Sequence, residues 1–138
     1  MPTAIVTGAS RGLGLALARA LSERGWRLVI DARVSGPLHE AAAELDNAIA
    51  IPGDVTDPEH RAALIAAAGD DLQLLVNNAS VLGPSPQPGL ATYPLATLEH
   101  VYAVNVFAPL ALIQLALPRM GRNARIVNVT SDAAVEPY

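Results

Sequence analysis

Short, mostly apolar runs alternate along the chain with longer stretches in which apolar residues recur every three or four positions. The runs are Thr3–Val6, Arg27–Ile30, Ala48–Ile51, Leu72–Val76 and Arg125–Val129. Apolar runs this short predict strands covered on both faces. Between the first two runs, Leu13, Leu17 and Leu21 fall at helical spacing, and Gly25 follows as a left-handed cap. Pro37–Leu45 predicts a second helix. Thr56-Asp57-Pro58-Glu59 carries cap-type residues, an early proline and an acid for the helix dipole, so a third helix starts there and runs to about Ala68. The segment from Gly83 to Pro94 holds four prolines and reads as loop, and a long helix spans Ala96 to Met120. Strand and helix in alternation predict one α/β domain over residues 1–138, a doubly wound parallel sheet with right-handed crossovers.

Composition narrows what such a domain does. Half of the residues are hydrophobic, 16% are charged, the net charge is -4 and no basic run exists. Nucleic acid is therefore not an expected partner, and the scarcity of aromatics removes base-stacking platforms. The absence of cysteine excludes disulfides, thiolate chemistry and cysteine-ligated zinc. His39, His60 and His100 are scattered through polar, helix-like contexts, so all three are expected at the surface and no metal site is expected. No stretch is expected to reach the roughly 20 apolar residues of a membrane span. The start MPTAIVTGAS lacks a charged leader region, so a cytoplasmic protein is expected. All nine basic residues are arginine; there is no lysine.

The candidate chemistry begins at the first turn, Thr7-Gly8-Ala9-Ser10-Arg11-Gly12-Leu13-Gly14. Glycines between a strand and a helix allow the backbone to turn tightly and approach a pyrophosphate, which the helix N-terminus favours. A tight turn with incidental glycines is the alternative, but the strand before and the helix after favour the cradle. No Gly-Lys-Ser/Thr follows, which excludes a nucleoside-triphosphatase loop.

TGASRGLG resembles the cofactor loop, TGxxxGxG, of the short-chain dehydrogenase/reductase family. Further matches follow in the family's order: Asp54-Val55, Asn77-Asn78-Ala79-Ser80 with serine in place of the family's last glycine, Asn105, and Asn128-Val129-Thr130-Ser131. The resemblance implies a Rossmann-type sheet of order 3-2-1-4-5, without the family's later strands and helices. It implies cofactor contacts from Gly8, Ser10, Arg11, Gly12, Leu13, Gly14, Asp54, Val55, Asn78 and Ala79. It implies a small carbonyl or secondary alcohol as substrate, catalytic roles for Ser131 and Asn105, and assembly as a homo-oligomer.

Choice of cofactor turns on the end of the second strand. Spacing from the glycines makes Asp31 a candidate for a ribose hydroxyl. Alignment on Gly8 instead puts the family's NAD-selecting position at Ala32 and a basic position at Arg33. With Arg11, Arg33 implies NADP(H), with NAD(H) as the alternative. In the family the serine works with a tyrosine and a lysine four positions beyond it. Here Tyr138 lies seven residues after Ser131, about half the family's spacing, and lysine is absent. The 138 residues alone are therefore expected to be inactive, with a non-catalytic dinucleotide-binding module as the alternative reading. The carbonyl of Asn105 lacks its usual helical donor, because Pro109 has no N–H. The apolar residues around the long helix predict an exposed patch and self-association.

Overall fold

The computed structural model describes residues 1–136. Five strands, β1 (Thr3–Val6), β2 (Arg27–Ala32), β3 (Ala48–Pro52), β4 (Leu72–Asn77) and β5 (Met120–Asn128), form one parallel sheet. Their order is β3-β2-β1-β4-β5, the arrangement implied by the glycine-loop resemblance. Helices α1 (Gly12–Ser22), α2 (Ser35–Ala43) and α3 (Pro58–Ala68) connect the first four strands.

The pleat sorts the core into two layers. Ala4 and Val6 of β1 and Leu28 and Ile30 of β2 face Ala18 of α1 and Leu38 of α2. Ile5 and Val29, the residues between, face Leu64 and Ala68 of α3 and Leu112 of the last helix. Small residues at 4, 18, 68 and 116 let helix and sheet backbones come close, and each is nearly or fully buried. Asp57 caps α3, its carboxylate accepting the Glu59 N–H at 2.9 Å, with Pro58 in the first turn. Helix α2 starts at Ser35, before Pro37, because a proline fits within the first turn of a helix.

Two expectations change in the long helix. The segment is α4 (Leu95–Tyr102), a π-helical turn over Ala103–Phe107, α5 (Ala108–Ala116) and a short 3-10 turn. In the π turn the Ala108 N–H reaches back five residues to the Ala103 carbonyl. Pro109 has no N–H for the Asn105 carbonyl, and the widened turn lies directly before it. The continuous helical run Leu95–Arg119 is also 25 residues long and apolar enough to cross a membrane by length and composition. The expectation that no stretch would reach that length is thus corrected. Glu99, His100, Asn105 and Gln114 interrupt the apolar run along the sequence. In the fold, Val104, Ala108, Leu112 and Ala116 are buried at helical spacing, with Leu112 and Ala116 packed against the sheet core. The strand β5 begins at Met120, five residues before its apolar run, and its pairing with β4 slips between Leu72 and Leu74.

Pro109→Ala restores the missing donor. Backbone chemical shifts of residues 103–107 are expected to move to ordinary α-helical values; an unchanged π turn would show that proline is not its cause.

Candidate functional site

The site is built where β1 ends. Thr7 is buried, and its hydroxyl oxygen accepts the N–H groups of Asn78 and Ala79, both at 3.0 Å. The Asn78 side-chain amide donates to the carbonyls of Thr7 at 3.0 Å and Gly8 at 3.1 Å. The turns after β1 and β4 are therefore tied together at the switch point of the sheet, where strand order reverses. Helix α1 then starts hard against this knot. A Cβ at Gly14 would lie 2.3 Å from the Gly8 carbonyl oxygen, so no other residue fits there without a shift. Gly12 takes φ 58°, and a Cβ on it would meet no atom within 4 Å. The first amides of α1 have no acceptor within the helix. No capping side chain and no acid in its first turn occupies them. The arrangement is a bare, partly positive concavity suited to an anion.

Around it opens a cleft of about 460 Å³. Gly8, Ser10, Arg11 and Gly12 line it from the first turn, and Asp31, Ala32, Arg33, Val34 and Pro37 from the end of β2 and the segment after it. Gly53, Asp54 and Val55 follow β3, and Asn78, Ala79, Ser80 and Val81 follow β4. Val104 adds an apolar contact from the π turn. The glycine loop, Arg33, Asp54, Val55, Asn78 and Ala79, all singled out in the sequence, thus converge on one cavity. Leu13 and Gly14, also singled out, lie in α1 and are not among the residues lining the cleft.

Asn105 and Ser131 lie apart from this lining. The Asn105 side chain clamps the loop after β4: its Oδ1 accepts the Val81 N–H at 2.9 Å and its Nδ2 donates to the Val81 carbonyl at 2.8 Å. Ser131 is exposed beyond β5, and its Oγ accepts the Ala133 N–H at 3.1 Å as the cap of a short 3-10 turn. Asn77 and Asn128 join the ends of β4 and β5 through a 2.9 Å side-chain bond. Tyr138 lies outside the described residues.

Asp54 is held ionised below the ordinary aspartate range, chiefly by the backbone N–H of Thr56. Burial opposes this; the Thr56 hydroxyl at 2.8 Å and the charges of Arg33 and His100 reinforce it.

Two residues differ from their sequence reading. Asp31, the candidate for a ribose hydroxyl, is 1% exposed, and both its oxygens are engaged by the protein. Its Oδ1 accepts the Gly8 N–H and its Oδ2 pairs with His60 Nε2, each at 2.8 Å. His60, expected at the surface, is 7% exposed. It belongs to the inward stripe His60, Leu64, Ala68 of α3, a spacing of four that was the available signal.

A parallel sheet of this order, with a glycine turn at its switch point, is the arrangement found in nucleotide-binding α/β proteins. The family profile described as short chain dehydrogenase matches residues 2–138, and the chain belongs to that family of oxidoreductases. It is 36% identical over 141 residues to 1-deoxy-11-beta-hydroxypentalenate dehydrogenase of Streptomyces arenae, covering 95% of this chain and 50% of that protein. It is 34% identical to serine 3-dehydrogenase of Agrobacterium fabrum, covering 99% and 56%. The chain spans about half the length of the curated relatives it matches. Among solved structures, L-sorbose reductase from Gluconobacter frateurii, complexed with NADPH and L-sorbose, superposes with a TM-score of 0.90 at 27% identity, covering 99% of this chain and 55% of that one. A metagenomic short-chain oxidoreductase in complex with NADP gives 0.80 at 35% identity, covering 94% and 61%.

Because its carboxyl is held below its unfolded value, Asp54 contributes stability that is present above the unfolded pKa and lost as pH falls through the folded one. Between about pH 6 and about pH 2.5, Asp54→Asn should lose less melting temperature than the wild-type chain. Equal losses would show that the Thr56 bonds do not stabilise the ionised form.

Proposed function

We propose that this chain is the cofactor-binding part of an NADP(H)-dependent oxidoreductase acting on a small carbonyl or secondary alcohol. One observation carries the choice of cofactor. Arg11, Arg33 and Asp31 all line the cleft, but the two arginines are exposed, while Asp31 is buried with its oxygens held by Gly8 and His60. An NAD(H) site needs an acid facing the ribose; Ala32 stands at the next position. Two guanidiniums suit a 2′-phosphate. The NADPH and NADP complexes of the neighbours agree with this reading.

The residues present fit a dinucleotide. The bare turn at Gly12 and the open amides of α1 would take the diphosphate. Asp54 and Val55 would meet the adenine, and Asn78 and Ala79 would adjoin the second ribose. When bound, the reduced cofactor supplies the hydride added to a carbonyl carbon. The carbonyl oxygen must then receive a proton, and Ser131 would orient it through its hydroxyl. Serine is too weak an acid to complete that transfer near neutral pH. The sequence holds no lysine to lower a tyrosine's pKa. Asn105 would act at one remove, by fixing Val81 at the cleft's edge. A non-catalytic dinucleotide-binding module is the second reading, favoured by Ser131 lying outside the cleft lining. A cytoplasmic location accords with an intracellular cofactor.

Self-association follows from the surface. Phe107 is 62%, Leu110 50% and Leu117 56% exposed along the α5 region, beside the open edge strand β5 with Val127 and Val129 exposed. Apolar exposure of this kind favours a partner, here a second copy.

Fluorescence titration should show NADPH binding at least about tenfold tighter than NADH, with Arg33→Ala reducing the difference. Tighter NADH binding would overturn the cofactor assignment. The 138-residue chain is expected to show no turnover of NADPH with generic carbonyls; measurable turnover would overturn the proton-donor argument and the second reading together. Light scattering should give a mass of at least two chains, and a monomer at micromolar concentration would count against the apolar surface as an interface.

A further inference from the structure

We infer that His60 is a positioning residue for the diphosphate turn, acting through Asp31 on the peptide of Gly8. The inference rests on the dinucleotide reading of the cleft. Four residues far apart in sequence meet here: Gly8 after β1, Asp31 in β2, Gly53 after β3 and His60 in α3. Asp31 holds the start of the turn twice. Its carboxylate accepts the Gly8 N–H at 2.8 Å, and its backbone carbonyl accepts the Ala9 N–H at 2.9 Å. The first two amides of the turn are therefore committed to β2. The amides after them, at the start of α1, are left to face an anion.

The Asp31 carboxylate can only accept, so His60 donates from Nε2. With side chains 1% and 5% exposed, neither group can exchange its partner for bulk water. Removing His60 would leave Oδ2 buried without its donor, and a carboxylate in that position turns or draws in solvent. Either response loosens the bond to Gly8. The chain also reserves space for the imidazole. A Cβ at Gly53 would lie 2.2 Å from His60 Nδ1, so glycine at 53 is what lets the ring lie under the cleft. An apolar pair would fill the same volume at similar stability. What an apolar pair cannot do is hold the Gly8 N–H.

The test uses the 138-residue chain and two probes. NADPH spans the diphosphate turn, whereas adenosine 2′-monophosphate carries only the ribose-phosphate end. His60→Leu is expected to weaken NADPH binding by about tenfold while changing adenosine 2′-monophosphate binding by less than about twofold. His60→Gln, whose Nε2 can reach the same carboxylate oxygen, should stay within about threefold of wild type for both. A folded Leu variant that binds NADPH like wild type overturns the inference. So does an equal loss for both probes, which would mean a general structural defect, or a Gln variant no better than Leu. If the Leu variant does not fold, His60→Asn, too short to reach Asp31, takes its place against Gln under the same criteria. A wild-type chain that binds neither probe overturns the cofactor reading itself, and this inference with it. Wild-type binding with an insensitive variant overturns this inference alone.

Discussion

The site depends on a close crossing of backbones where β1 hands over to α1. Thr7, Gly8, Asn78 and Ala79 are laced by hydrogen bonds of 3.0 to 3.1 Å, and α1 starts with Gly14 almost touching the Gly8 carbonyl. Nothing larger than hydrogen fits at Gly14. That exclusion lets α1 start hard against the Gly8 carbonyl and the Asn78 side chain. The cleft is a consequence of this crossing: the turns after β2, β3 and β4 are arranged around a point at which the backbone itself is the surface.

The same crossing explains why a buried acid is tolerated beside an anion site. A carboxylate left bare there would repel phosphate. Asp31 borders the cleft but is buried, with a backbone N–H on one oxygen and His60 on the other. Its direction follows from the pleat. Val29 faces α3, and Asp31, two residues on, lies on the same face. Ala32 and Arg33 line the cleft at the end of β2.

The far side of the cleft is set by the segment after β4. Asn105 holds Val81 with both ends of its amide, and the π turn before Pro109 presents Val104 to the cavity. The same helix carries Phe107 and Leu110 outward. One irregular turn thus shapes the pocket wall and leaves an apolar surface at the back.

Much of this was legible along the chain. Short, mostly apolar runs indicated strands, and their alternation with helices indicated a parallel sheet; the expected cover on both faces holds for β1, β2 and β4 but not for β3 and β5, which keep exposed residues. The glycines after Thr7 marked the tight turn at the cleft, because only residues without Cβ allow its close approaches. These are local properties, decided by period, size and backbone freedom. The roles of Asp31 and His60 were not local. Asp31 has the residue type and spacing of a ribose ligand, and His60 stands among polar neighbours. Only the packing of α3 against β2, 29 positions away in sequence, brought their side chains to 2.8 Å. Nor could composition foresee that Ser131 would lie outside the cleft lining. Sequence determines which groups are available and which stretches bury themselves; tertiary structure decides which way each polar group faces, because that depends on neighbours the chain meets only after folding.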